Sequence, residues 1–125
     1  MLREISNIMQ TPGQPSRRWF NDEFLDLFVW QDECGHIVGF QICFDKDTAE
    51  RALTYSESDG YRFDNVYGEE SSLDMGSPVL SRAAELPFPL LLALLVERGA
   101  GIDARVLHYV IEKLEAYTAA RQAAD

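Results

Sequence analysis

The clearest pattern in the chain lies between Phe24 and Phe44, where apolar residues alternate with other residues on both sides of a Cys34-Gly35 turn. Alternation with a period of two marks a strand, because successive side chains point to opposite faces. A two-residue turn at Cys34-Gly35 pairs Glu33 with His36, Val29 with Phe40, Leu27 with Ile42 and Leu25 with Phe44. Gly35 suits the positive φ such a turn needs. A four-residue loop from Asp32 to Gly35 leaves the parity unchanged. One face of this hairpin carries Leu25, Leu27, Val29, Val38, Phe40, Ile42 and Phe44, with nothing polar. The other carries Asp26, Phe28, Trp30, Gly39, Gln41, Cys43 and Asp45. A one-residue slip would mix the two sets, so the register is well specified. The first face reads as core. The second sets two large aromatics beside a carboxylate, an amide and a thiol, and is the surface where function is sought.

Patterns elsewhere are weaker. Leu2, Ile5, Ile8 and Met9 sit at helical spacing, in a stretch short enough to be an edge strand. Thr11 to Ser16 is a proline- and glycine-containing loop. Arg17 to Phe20 then leads through a turn at Asn21-Asp22 into the hairpin. Arg51 to Ser56 and Tyr61 to Tyr67 read as a second strand pair around Asp59-Gly60. A loop from Ser58 to Gly60 aligns Leu53 and Tyr55 with Tyr61 and Phe63. Gly68 to Ser77 reads as an acidic connecting loop, and Pro78-Val79-Leu80 as a short strand or an extended link. Pro87 and Pro89 flank the start of a helix that runs through Leu90 to Arg98 and stops at Gly99-Ala100-Gly101. Asp103 is placed to cap the last helix. Its apolar stripe is Val106, Leu107, Val110, Ile111, Leu114 and Tyr117, with Arg105, His108, Glu112 and Glu115 opposite. Helix order is expected to fray beyond Ala119. Strands first and helices last predict one α+β domain over residues 1–125, an antiparallel meander of four to five strands backed by C-terminal helices.

Composition narrows the function classes. Acidic residues outnumber basic ones 21 to 11, a formal charge of −10. Phosphate backbones and anionic lipid repel such a chain, so nucleic acid and membrane surfaces are poor partners. The N-terminus lacks a long apolar core of the kind a signal peptide carries. The apolar run from Leu86 to Val96 contains two prolines and spans about half a membrane. Cys34 and Cys43 stand too far apart in the hairpin for a disulfide, and reduced thiols fit a cytoplasmic protein.

The chemistry on offer is limited. Asp45 to Glu50 is no calcium loop, having no glycine at the sixth position and no acid at the twelfth. Asp47 and Glu50 have the spacing of a capping box, which allows one helical turn. Cys34-Gly35-His36 offers two soft ligands where zinc takes about four, so no metal and no cofactor is expected. Gly99-Ala100-Gly101 lacks a following Lys-Ser/Thr and is no phosphate loop. Cys43 across from Asp26 is no reactive thiol, because a neighbouring carboxylate raises a thiol pKa. What remains is an anion site. If Arg17, Arg18 or Arg51 reaches Asp26, Phe28, Trp30 and Gln41, the second face gains a charged anchor beside a stacking platform.

The runs Arg17 to Trp30, Gly39 to Asp45 and Glu50 to Tyr55 resemble a family of small uncharacterised bacterial proteins, over about residues 14–67. The resemblance implies a bacterial cytosolic setting and attaches no activity. The expected function is therefore a non-catalytic binding or self-association module using the second sheet face. A homodimer is expected, with a small anionic ligand as a further occupant. The alternative is a small enzyme with Asp26 or Glu50 as acid/base and arginine anchoring of an anionic substrate.

Overall fold

The computed structural model describes residues 1–47, 49–65 and 86–124. Six strands form one antiparallel sheet in sequence order: β1 (Arg3–Ile5), β2 (Ser16–Asn21), β3 (Asp26–Gln31), β4 (Ile37–Phe44), β5 (Arg51–Ser56) and β6 (Gly60–Asn65). Helices α1 (Phe88–Arg98) and α2 (Ala104–Ala124) follow. The α+β class and the meander are as expected. The strand count is six, not four to five, because the first 21 residues supply two strands. Arg17 to Phe20 is strand rather than a lead into a turn, and it pairs along its length with β3.

The β3–β4 register matches the hydrophobic pattern, with Val29 opposite Phe40 and Leu27 opposite Ile42. The connection is longer than two residues. Gln31 pairs with Ile37, so Val38 is the extra residue of a β-bulge, and Asp32 to His36 form the loop. The bulge also brings Ile37 against the core. In the second hairpin Leu53 faces Phe63 and Tyr55 faces Tyr61. The parity is the expected one, but the loop is Glu57 to Asp59, and Gly60 opens β6 at φ 78°. The single helical turn allowed after Phe44 does not form among the described residues, where Lys46 and Asp47 make a turn. Residues 66 and 67, the Gly68–Ser77 loop and the Pro78-Val79-Leu80 segment lie outside the described residues.

One row of side chains runs across five strands on the first face: Phe20, Leu27, Ile42, Leu53 and Phe63. All five are buried, together with Leu25, Val29, Phe40 and Phe44. Both helices pack on this face. Leu91 and Leu95 of α1 and Val106, Val110, Leu114 and Tyr117 of α2 close the core. Tyr109 meets the Phe40 ring edge-on, and the Tyr61 hydroxyl donates to the Lys113 carbonyl at 2.8 Å. Asp103 caps α2 as its spacing implied, accepting the Arg105 N–H at 2.9 Å. The helix keeps its geometry to Ala124, past the expected fraying point. No helix among the described residues is long and apolar enough to cross a membrane.

An ionic knot joins the sheet to α1. Asp22 is 4% exposed and accepts the backbone N–H groups of Phe24 and Leu25 at 2.7 and 2.8 Å. It also takes Arg98 of α1 at 3.0 Å and the N-terminal amine at 3.4 Å. Burial opposes its ionisation, yet the two backbone donors and the Arg98 guanidinium outweigh burial and hold its carboxyl below the ordinary 3.8. A depressed native pKa adds stability that is present above the unfolded value and lost as pH falls through the native one. Asp22→Asn should therefore cost about 1.5–3 kcal/mol at neutral pH, the range for hydrogen bonds to a charged group. Urea midpoints at pH 7 and at pH 3 check this. The gap between variant and wild type should narrow on acidification, and a gap of constant size would show that the charge is not its source.

Candidate functional site

The second face is built from the same strands at the alternate positions. Its middle row reads Ile5, Trp19, Phe28, Gln41, Thr54 and Arg62. The row on one side is Arg3, Asn21, Asp26, Cys43, Ala52 and Asp64, and on the other Arg17, Trp30, Gly39 and Ser56. Trp19 and Phe28 stack with centroids 5.6 Å apart and planes 13° apart. Trp19, Phe28 and Trp30 are each half-buried.

Gly39 decides how flat this face lies beside Trp30. A Cβ there would come within 2.6 Å of the Tyr55 carbonyl oxygen, so β4 and β5 approach closely only because the residue is glycine. The Trp30 ring consequently stands beside a position without a side chain.

The polar groups of the face are largely committed to one another. Asp26 accepts the Trp19 indole N–H at 3.0 Å and an Asn21 amide N–H at 2.5 Å, and pairs with Lys46 at 3.2 Å. Gln41 donates to the Thr54 hydroxyl at 3.0 Å. Arg62 pairs with Asp64 at 2.8 Å. Cys43 is buried, and burial first, then the charges of Glu50 and Asp26, push its thiol up to about 11. It is an inert thiol at neutral pH.

The candidate residues separate into two groups. Arg17, Asp26, Phe28, Trp30 and Gln41 share the second face. Arg17 holds its guanidinium 5.8 Å from the Phe28 centroid and makes no ion pair among the described residues. It also lines a cleft of about 150 Å³ with Trp30, Met9 and Gln14. Arg18 and Arg51 stand on the first face instead. Arg18 joins Glu4 at 2.8 Å and Asp103 at 3.2 Å, tying β1 and β2 to the start of α2. Arg51 pairs with Asp45 at 2.6 Å over the Phe44 and Phe63 rings. Glu50 lies just before β5, within electrostatic reach of Cys43. The structure thus brings together an aromatic platform, one arginine and a carboxylate held by three partners, and leaves two of the three arginines elsewhere.

Trp19, Lys46 and Thr54 belong to this face and were not picked out from the sequence. The alternation Arg17, Trp19, Asn21 was the available signal for Trp19. A second concavity of about 500 Å³ lies between the β3–β4 tip and the start of α2, lined by Gln31, His36, Ile37, Arg105, His108 and Tyr109 among others. Comparison with protein-family models, with curated proteins and with solved structures finds no match for the chain.

Proposed function

We propose that the chain is a non-catalytic binding module that self-associates through its second sheet face, as a homodimer with Trp30 near the two-fold axis. The observation that carries this reading is the one-sided packing of the described helices. Both lie on the first face, while Trp19, Phe28 and Trp30 stand half-buried together on the second. Aromatic surface of that kind is favoured at interfaces, and a symmetric copy is the commonest occupant. Charge supports the same choice. The chain carries −10 overall, yet this face sets Arg3, Arg17, Arg62 and Lys46 against Asp26 and Asp64. Among the described residues, two copies that meet here do not set the chain's acidic excess directly against itself.

The commitment of Asp26 to Trp19, Asn21 and Lys46 favours binding over acid/base chemistry, since a general base needs a free lone pair facing its substrate. Arg17 supports a small anionic ligand as a further occupant, because its guanidinium flanks the Trp30 cleft without an ion-pair partner among the described residues. The free Cys34 and Cys43 thiols support a cytoplasmic setting.

Sedimentation velocity of the wild type at micromolar concentration is the test. A dimer is expected, tightening as salt screens the net negative charge. Trp30→Lys should give a monomer with unchanged far-UV circular dichroism. A wild-type monomer at all salt concentrations overturns the reading, as does a Trp30→Lys protein that stays dimeric.

A further inference from the structure

The tip of the β3–β4 hairpin gathers three side chains of different donor chemistry. The loop is closed by its own backbone. The Asp32 N–H donates to the His36 carbonyl at 2.9 Å, and the Gly35 N–H donates to the Asp32 carbonyl at 3.0 Å. Gly35 sits at φ 85°, which a residue with a side chain reaches only under strain. Asp32 Oδ1 accepts the N–H groups of Cys34 and His36, each at 2.9 Å. Those bonds engage Oδ1. Oδ2 is turned toward His36, 3.6 Å from Nδ1. The Cys34 thiol completes the set: one ligand atom from each of Asp32, Cys34 and His36 lies within 4.8 Å of the other two.

We propose that this turn binds a divalent cation of the zinc class through Asp32 Oδ2, Cys34 Sγ and an imidazole nitrogen of His36, with water in the fourth position. Zinc accepts sulfur, nitrogen and carboxylate oxygen together, at about 2.0–2.3 Å, and a site of three protein ligands keeps one position open. Tetrahedral geometry at those lengths sets ligand atoms roughly 3.3–3.8 Å apart. All three side chains are exposed, so rotamer changes bring them to that spacing while the backbone bonds hold the turn. Calcium and magnesium are disfavoured, because they take six or more oxygens and the turn offers one carboxylate beside sulfur and nitrogen. On binding, the Cys34 thiol gives its proton to solvent and the thiolate bonds the metal.

Cys34 and His36 alone are too few ligands, which is why the sequence argued against a metal. Asp32 joins them because the loop has five residues rather than two, and its carboxylate folds back over the turn. The proposal does not depend on the sheet-face reading, since none of the three residues belongs to that face.

The test is titration of the reduced, metal-free full-length chain with Co²⁺ alone, followed by Zn²⁺. One equivalent of Co²⁺ should bind with a thiolate-to-metal charge-transfer band, and Zn²⁺ should displace it. Cys34→Ser should abolish the band, and Cys43→Ala should keep it. Asp32→Asn retains the Oδ1 acceptor for the turn, and should weaken binding by roughly tenfold or more, as should His36→Ala. His108→Ala, on the far wall of the neighbouring groove, should bind like wild type. Cobalt bound without a thiolate band, or bound equally by Cys34→Ser, overturns the proposal.

Discussion

Leu27→Asp is expected to abolish folding, while Phe28→Asp leaves a cooperative, moderately destabilised domain. The two positions are adjacent in β3 and opposite in environment. Leu27 is fully buried between Phe20 and Ile42 in the apolar row that crosses the sheet. A carboxylate there meets no donor, and its neighbours in the row are hydrocarbon. Burying an unpaired charge costs several kcal/mol even after relaxation, and the lost leucine packing adds about 2–5 kcal/mol. Together they match or exceed the whole net stability of a small domain, about 5–15 kcal/mol. Phe28 lies on the second face, half-buried against Trp19. Its replacement removes one stacked pair and partial burial, about 1–3 kcal/mol, and the new carboxylate falls near Arg17. Thermal midpoints of the two variants decide the matter. Equal collapse of both would mean that the faces of β3 are wrongly assigned.

The central hairpin was legible because one parity of Leu25 to Phe44 contains nothing polar, so every other register buries Asp26 or Gln41. Strand β2 was not legible for the same reason in reverse. Arg18 occupies a core-face position two residues before the buried Phe20, and a charge there reads as solvent. Its partners are Glu4 and Asp103, the second of them far away in sequence, and no local pattern shows that pairing. The loop length at Asp32 to His36 was hidden by the bulge at Val38, which adds one residue without changing the parity of the strand beyond it. The candidate site divides along the same line. Asp26, Phe28, Trp30 and Gln41 follow directly from the hairpin's alternation. Trp19 depended on recognising β2. Arg51 stands two residues before the buried Leu53, so its face follows from parity once β5 is recognised, and that parity sends it away from Asp26. The commitment of Asp26 to three partners was beyond reach, since Lys46 arrives from the turn after β4 and Trp19 from a different strand.

Leu114→Ala should cost about 2–5 kcal/mol, and His108→Ala should leave stability unchanged within about 0.5 kcal/mol. Leu114 is fully buried and belongs to the cluster that Leu91, Leu95, Val106 and Val110 share with the sheet. Truncating it removes three carbons from a core cluster to which α1, α2 and the strands all contribute, so the surroundings collapse only partly into the space. His108 is 81% exposed, and its one ionic neighbour among the described residues is Glu112, a turn later and 3.6 Å away. An exposed i,i+4 pair of this kind contributes a few tenths of a kcal/mol at most. The contrast tests the helix phase directly. Positions 106, 110, 114 and 117 recur at helical spacing on one side, and 108 lies across the axis from them. Chemical denaturation of the wild type and both variants at neutral pH provides the measurement. A His108→Ala protein as unstable as Leu114→Ala would mean that α2 meets the sheet through a different face, and the core closure described above would fall with it.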